Sequence, residues 1–237
     1  MPNVELQHFA SADELAARVA ADWLAAIRTA AEAGSRFTVA LSGGRIAKTF
    51  LSATAHRALA EDVSFRHVEF FWGDERCVPA THADSNYLLA KTNLLDPLKV
   101  DANQIHPLCC EDDGRITAAR APAELRRIAD ANASGLPILD LVFLGMGEDA
   151  HVASLFPEEP ETARNLPDIY RPVTATKPPP QRITLGYQVI AAAREVWVLA
   201  SGAGKAVALE ASLKPGSSTP LARVLQSRAR ARIYSDI

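Results

Sequence analysis

The chain has 237 residues, 48% of them hydrophobic and 22% charged, so it is long and apolar enough to bury a sizeable core, and intrinsic disorder is excluded. Its net charge of -3 offers no field that would attract a polyanion, which argues against a nucleic-acid partner. No apolar run approaches the ~20 residues of a membrane span, so we expect no membrane partner. The segment from Met1 to Phe9 lacks the basic start and apolar stretch of a signal peptide, so we expect, by default, a cytoplasmic protein.

Strands and helices are predicted to alternate along the chain. Ser11 and Glu14 form a capping box that opens the first helix, which Gly34 ends. The expected strands are 4–9, 37–41, 68–72, 139–146, 182–185, 195–200 and 231–234. The other expected helices cover about 46–59, 85–95 and 118–131, the last with Pro122 near its first turn, and one that carries Lys205. This order predicts one α/β domain over residues 1–237, with a mainly parallel, Rossmann-like sheet and helices on both faces.

Three arginines near the C-terminus alternate with small residues. Arg228, Arg230 and Arg232 fall on one face of a short strand, because side chains alternate along a strand. A phosphate-binding patch is one interpretation. We favour the other, in which their charge protects an exposed sheet edge from pairing with other chains.

The cysteines are Cys77, Cys109 and Cys110, an odd number with no C-x-x-C spacing. We therefore predict neither a disulfide framework nor a zinc site. His82 and Asp84 have a possible H-x-D metal spacing, but no third ligand is evident nearby in the sequence, so no metal site is expected.

A glycine turn, Ser42 to Gly44, joins the strand at 37–41 to the next helix. Two glycines let backbone N–H groups approach an anion at the helix N-terminus, and Ser42 and Arg45 could add side-chain donors. The spacing matches neither the G-x-G-x-x-G nor the G-x-x-x-x-G-K-[ST] nucleotide motif. From the residues alone, a steric turn and a phosphate-binding turn are about equally supported.

Two further loops carry charged residues directly after predicted strands. Asp74, Glu75 and Arg76 follow the strand at 68–72, where spacing alone favours a solvated charged loop. Asp149 and His151 follow an apolar strand through two glycines, and a histidine there is suited to moving protons near neutral pH. Ligands bind outside the carboxyl ends of strands in such sheets, where these loops should meet.

Two cationic side chains are expected on the same side of the sheet. Pro178 to Pro180 stiffen the approach to Arg182, and Lys205 follows the turn at 201–204. Their common side makes a phosphate clamp plausible, although either residue could be a solvent-facing charge.

Taken in order, these segments resemble the 6-phosphogluconolactonase family and its relatives in the glucosamine/galactosamine-6-phosphate isomerase superfamily, from Leu41 to about Arg223. The segments that carry the resemblance are L-S-G-G at 41–44, F-W-G-D-E-R-C-V-P at 71–79, D-S-N-Y at 84–87, L-G-M-G-E-D-A-H-V-A-S-L-F-P at 144–157, R-I-T-L at 182–185 and G-A-G-K-A at 202–206. The resemblance implies hydrolysis of 6-phosphogluconolactone, a sugar phosphate, to 6-phosphogluconate in the oxidative pentose phosphate pathway.

The resemblance also implies the roles of individual residues. His151 would be the general base, with Asp149, Arg76 and Asp74 beside it. The substrate phosphate would be surrounded by Ser42, Gly43, Gly44, Arg45, Arg182 and Lys205. Opening a strained cyclic ester requires a base, an oxyanion donor and protonation of the leaving oxygen, so no cofactor or metal is expected. The sequence does not decide whether Arg76 serves the oxyanion or the phosphate, and it gives no oligomeric state or lactone isomer.

The sequence departs from the family pattern at Arg45, Ile46, Ala150, Gly186 and Gly204. Arg45 stands where a small or hydroxylated residue is typical, and Ala150 stands where glycine usually separates Asp from His. Two alternatives remain. One is an amino-sugar-phosphate isomerase or deaminase, but Arg76 argues against it because tyrosine typically follows the Asp-Glu pair in those enzymes. The other is a sugar-phosphate sensor without turnover.

Overall fold

The structure, a computed structural model, describes residues 3–110 and 114–237. Its strands are β1 (Asn3–His8), β2 (Phe37–Leu41), β3 (Val68–Trp72), β4 (Asp74–Arg76), β5 (Asp130–Ala131), β6 (Pro137–Ile138), β7 (Leu141–Gly145), β8 (Tyr170–Thr174), β9 (Gln181–Leu185), β10 (Glu195–Ala200) and β11 (Arg230–Ser235). Its helices are α1 (Ala12–Glu32), α2 (Arg45–Ala60), α3 (Asn86–Ala90), α4 (Arg115–Ile128), α5 (Glu161–Arg164), α6 (Tyr187–Ala192), α7 (Ala206–Leu213) and α8 (Pro220–Gln226). A π-helical turn, Lys91–Leu95, continues α3, and a 3₁₀ turn, Ala203–Lys205, precedes α7.

The central sheet has six strands in the order β1-β11-β10-β7-β2-β3, and every neighbouring pair is parallel. The crossover through α2 runs toward one edge of the sheet, whereas the crossover through α7 and α8 runs toward the other. Since such crossovers are right-handed, these helices cover opposite faces. The predicted α/β fold with a mainly parallel sheet is confirmed.

One aromatic cluster fixes α1 and α2 against the sheet. The ring centroid of Phe143 on β7 lies 5.0 Å from Trp23 of α1 and 4.8 Å from Phe50 of α2. All three side chains are fully buried, and each contributes roughly 3–5 kcal/mol of stability relative to alanine. This packing anchors the start of α2, where the glycine turn enters the helix.

A smaller antiparallel sheet, β4-β9-β8, stands beside the central one. Its strand β4 consists of Asp74–Arg76, which the sequence analysis assigned to a solvated charged loop. That assignment was wrong for Asp74–Arg76, because the partner strand β9 is about 108 residues away and leaves no local signal. The pairing sets Arg76 directly opposite Arg182 and Asp74 opposite Thr184.

The arginines near the C-terminus do not protect a sheet edge, because β11 lies between β1 and β10. Arg230 and Arg232 instead form ion pairs with Glu5 and Glu195 on the two neighbouring strands. Arg228 precedes the strand, is buried and donates to the carbonyl oxygens of residues 190, 191, 194 and 230. Only the order of strands in the sheet could reveal this.

A disulfide bond joins Cys77 to Cys110, with Cα atoms 4.6 Å apart, so the prediction that excluded disulfide bonding was wrong. Thirty-three positions separate the two cysteines, and no sequence spacing marks such a contact. Cys109 is exposed and takes no part in this bond.

Pro122 also lies deeper in its helix than predicted, because α4 starts at Arg115 rather than at 118. Within the described ranges, 3–110 and 114–237, none of the helices is both long enough and apolar enough to cross a bilayer.

Candidate active site

A pocket with a cavity volume of about 310 Å³ opens beyond the carboxyl ends of β2, β3, β7 and β10. It is lined by backbone from the turns after β2 and β7 and by polar side chains from six segments: Arg45, Asp74, Arg76, Asn86, His151, Arg182 and Lys205. Nine of the ten residues predicted for the site line this pocket, Ser42, Gly43 and Gly44 included. The tenth, Asp149, contacts His151.

The turn after β2, at the N-terminus of α2, forms one wall of the pocket. Gly44 has φ 103°, a conformation that favours glycine, and it caps the 16-residue helix α2. At Gly43 a Cβ atom would lie 1.8 Å from Asn86 Oδ1, so no side chain fits. These glycines expose backbone N–H groups at a helix N-terminus, where an anion is stabilised.

Ser42 contributes differently from the prediction. Its hydroxyl donates to the carbonyl oxygen of Phe143 at 2.7 Å and is buried. Phosphate oxygens need donors, so in this arrangement a contact from Ser42 would come from its backbone N–H and not from its side chain.

His151 and Asp149 form a hydrogen-bonded pair in the loop after β7. His151 Nδ1 lies 2.5 Å from Asp149 Oδ1. A carboxylate accepts only, so Nδ1 carries the proton in the neutral imidazole and Nε2 keeps a basic lone pair. Burial by itself would raise the pKa of Asp149. The charge of His151 and the hydrogen bonds from His151 and Lys177 outweigh burial and lower this pKa to about 2, so Asp149 stays ionised.

The backbone of this loop is shaped around the imidazole. A Cβ on Gly147 would lie 2.1 Å from His151 Nδ1, so the ring needs glycine beneath it. Ala150 has φ 64°, the left-handed conformation that glycine tolerates best. The departure from the family pattern at Ala150 therefore falls at a position with a positive φ, and the Ala150 carbonyl oxygen accepts a hydrogen bond from Leu221 N–H.

Asp74 reaches the pocket from β4 and is held by two residues to which the sequence analysis gave no role. Ser154 Oγ donates to Asp74 Oδ2 at 2.7 Å, and Asn86 Nδ2 donates to Asp74 Oδ1 at 3.3 Å and to its carbonyl at 2.9 Å. Asn86 belongs to the quoted D-S-N-Y segment, so a sequence signal existed. Ser154 carried no signal beyond its place in the 144–157 segment.

Glu75 turns away from the pocket and serves the loop that carries Asn86. Its carboxylate accepts the backbone N–H groups of Arg76, Asn86 and Tyr87 and the hydroxyl of Ser85. Burial raises its pKa to about 6, against the lowering effect of those backbone donors. With both oxygens engaged, Glu75 is a structural carboxylate and not an alternative base.

Arg76 and Arg182 stand side by side on paired strands. Arg182 Nε donates to Pro179 O at 3.0 Å and Nη2 to Lys177 O at 3.3 Å, so two of its five N–H donors are held by the loop before β9. Arg76 Nη1 donates to Asp84 O at 2.7 Å. Burial and the neighbouring Arg76 lower the pKa of Arg182.

Lys205 and Arg45 form a second cationic group. Lys205 ends the 3₁₀ turn after β10 and is half-buried. Burial and the charge of Arg45 lower the pKa of Lys205, while Asp236 and Glu148 act in the opposite direction. Two cationic groups thus face one pocket, an arrangement suited to a doubly charged phosphate and a second developing negative charge.

Comparisons with known proteins identify a family model, relatives and solved structures that are similar to this chain. Residues 10–233 match the family model described as glucosamine-6-phosphate isomerases/6-phosphogluconolactonase. A 6-phosphogluconolactonase of Streptomyces coelicolor is 36% identical over 82% of this chain and 77% of its own length. A probable chloroplastic 6-phosphogluconolactonase of rice is 37% identical over 80% of this chain, which spans 59% of the rice protein. The solved structure of 6-phosphogluconolactonase from Trypanosoma brucei superposes with a TM-score of 0.83 at 26% identity, covering 99% of this chain and 96% of that one.

Proposed function

Because the chain belongs to the family of glucosamine-6-phosphate isomerases and 6-phosphogluconolactonases, we propose that it hydrolyses 6-phosphogluconolactone to 6-phosphogluconate by general-base catalysis. The observation that carries this proposal is the His151–Asp149 pair in a pocket lined by three arginines and a lysine. A base beside concentrated positive charge suits the attack of water on an ester in an anionic substrate.

In the proposed reaction, His151 Nε2 takes a proton from water as the water oxygen attacks the lactone carbonyl carbon. Asp149 keeps the proton on Nδ1 and stabilises the imidazolium that forms. The tetrahedral intermediate then collapses, the bond to the ring oxygen breaks, and His151 returns its proton to that oxygen. The products are a hydroxyl group and a carboxylic acid in one open chain, and the acid then loses its proton to solvent to become a carboxylate.

The cationic groups divide the remaining work. The turn at Ser42 to Gly44 supplies backbone N–H groups to the phosphate, together with Arg45, Arg182 and Lys205. We assign Arg76 to the oxyanion, because its neighbour Arg182 already serves the phosphate and Asp74 lies at its side to offset the charge. Asp74, held by Ser154 and Asn86, accepts hydrogen bonds from sugar hydroxyls.

The test is proton release from freshly generated 6-phosphogluconolactone, followed in weak buffer over the spontaneous rate. The expected result is a protein-dependent rate that saturates with the lactone. Ammonia release from glucosamine-6-phosphate, without lactone hydrolysis, would instead identify the deaminase activity that the family also includes. Tight binding of 6-phosphogluconate with no turnover of either substrate would identify a sensor.

A further inference from the structure

Lys177 reaches the His151–Asp149 pair from a different part of the fold. It lies between β8 and β9, and its Nζ is 3.1 Å from Asp149 Oδ2, the oxygen not used by His151. Its side chain is 57% exposed, and it is not among the residues that line the pocket. One carboxylate thus binds an imidazole through one oxygen and an ammonium group through the other.

The same loop also holds a pocket residue through its backbone. The carbonyl oxygens of Lys177 and Pro179 accept hydrogen bonds from Arg182. The side chain of Lys177 therefore acts on Asp149, whereas its backbone acts on Arg182. A substitution at Lys177 removes the first contact and leaves the second in place.

We propose that Lys177 is a positioning residue for the reaction, which fixes the Asp149 carboxylate and keeps His151 in its neutral, proton-accepting form at lower pH than Asp149 alone would allow. This inference rests on the proposed function. A carboxylate that interacts only with an imidazole favours the protonated imidazolium, because the two charges are opposite. A second cation on the same carboxylate has the same charge as the imidazolium and therefore disfavours protonation of the imidazole. Because Lys177 is largely exposed, solvent weakens the effect and salt screens it.

Other charges also face His151, and all of them remain when Lys177 is replaced. They come from α2, β4, β9 and the turn before α7: Arg45, Asp74, Arg76, Arg182 and Lys205. Arg182 is linked to His151 through Phe156, since its guanidinium lies 5.5 Å from the ring centroid of Phe156 and that ring lies 5.0 Å from the His151 ring. A variant that changes only Lys177 therefore isolates one contribution.

The test compares the pH dependence of kcat/KM in the parent, Lys177→Met and Lys177→Arg. In Lys177→Met the midpoint of the acid limb should move up by about 0.2 to 0.7 pH units, the size of an exposed ion-pair interaction. The alkaline plateau and the affinity for 6-phosphogluconate should stay near parental values, and Lys177→Arg should restore the midpoint. Raising the ionic strength should shrink the difference between Lys177→Met and the parent.

Lys214→Met is the matched control, because Lys214 forms a similar exposed pair with Glu210 at 3.0 Å on another part of the surface. Its acid limb should coincide with that of the parent. Coincident limbs for Lys177→Met and the parent, or an equal shift in the control, would overturn the proposal. So would a rise in KM without a shift of the limb, which would make Lys177 a substrate ligand.

An NMR titration of the His151 ring, assigned by comparison with His151→Asn, gives a readout that does not need activity. The His151 midpoint should move in Lys177→Met in the same direction as the kinetic limb. A parent protein without lactone hydrolysis would contradict the proposed function, whereas an unmoved His151 midpoint contradicts the role of Lys177.

Discussion

Asp149 Oδ1 lies 2.5 Å from His151 Nδ1, and this contact determines which imidazole nitrogen can accept a proton. The two residues are only two positions apart, yet they face each other because the loop passes through Gly147 and a left-handed Ala150. The pair gives the proposed reaction its base, and the sharpest predictions concern it and its surroundings.

Replacing His151 should separate chemistry from binding. We expect His151→Asn to lower turnover by about 10²- to 10⁴-fold, the usual contribution of a positioned general base, with unchanged folding and affinity for 6-phosphogluconate. In the parent, kcat/KM should fall as pH drops through the range where histidine titrates, because the neutral ring is the active form, and this limb should vanish in the variant. A folded His151→Asn protein with the parental rate, after subtraction of spontaneous hydrolysis at each pH, would exclude His151 as the base and leave Asp74 as the next candidate.

Removing a cation from the phosphate pocket should weaken binding. Lys205→Ala should reduce affinity for 6-phosphogluconate by roughly 10- to 150-fold in calorimetry, since a charge-assisted hydrogen bond contributes about 1.5 to 3 kcal/mol. Lys214→Ala, at a surface ion pair, should bind normally. Arg182→Ala should also bind weakly, but it loses contacts to two loop carbonyls and should melt at a lower temperature as well. Parental affinity in both site variants would remove these residues from the pocket.

Ala150 should tolerate glycine better than an ordinary helical alanine does. At φ 64° its Cβ is strained, so Ala150→Gly should raise the free energy of unfolding by up to about 1 kcal/mol and keep or raise turnover. Ala53→Gly, within α2, should lower the free energy of unfolding by about 1 kcal/mol in the same urea titration. A large loss of turnover in Ala150→Gly would mean that the methyl group itself holds the loop.

Breaking the disulfide should lower stability under oxidising conditions. Cys77→Ser should cost about 2 to 4 kcal/mol, because the bond closes a loop across 33 positions of the unfolded chain. Thermal unfolding with and without reductant measures this loss of stability. With reductant, the parent should unfold at the same temperature as Cys77→Ser. Cys109→Ser should unfold like the parent. A parent whose unfolding is insensitive to reductant would contradict the contribution of the bond.

The site was largely predictable, because its parts follow strand ends that the sequence marks clearly. Buried runs at β2, β3, β7 and β10 fixed where the chain would leave the sheet, and parallel strands bring those exits to one edge. The glycine turn at 42–44 and the Asp149–His151 loop could thus be placed at one edge of the sheet from local pattern, whereas the roles expected of their residues came from the resemblance to the family. The departure from the family pattern at Ala150 was visible in the sequence, but its positive φ was established only by the structure.

Contacts between distant segments were the part that only the tertiary structure decided. The ammonium group of Lys177 meets Asp149 across 28 positions, and β4 pairs with β9 across about 108. The Cys77–Cys110 bond and the position of β11 between β1 and β10 also depend on contacts between segments that are distant in the sequence. Hydrophobic periodicity and turn chemistry record each segment's own backbone and burial preferences. Which side chains meet depends on strand order and register, and these follow from the packing of the whole chain.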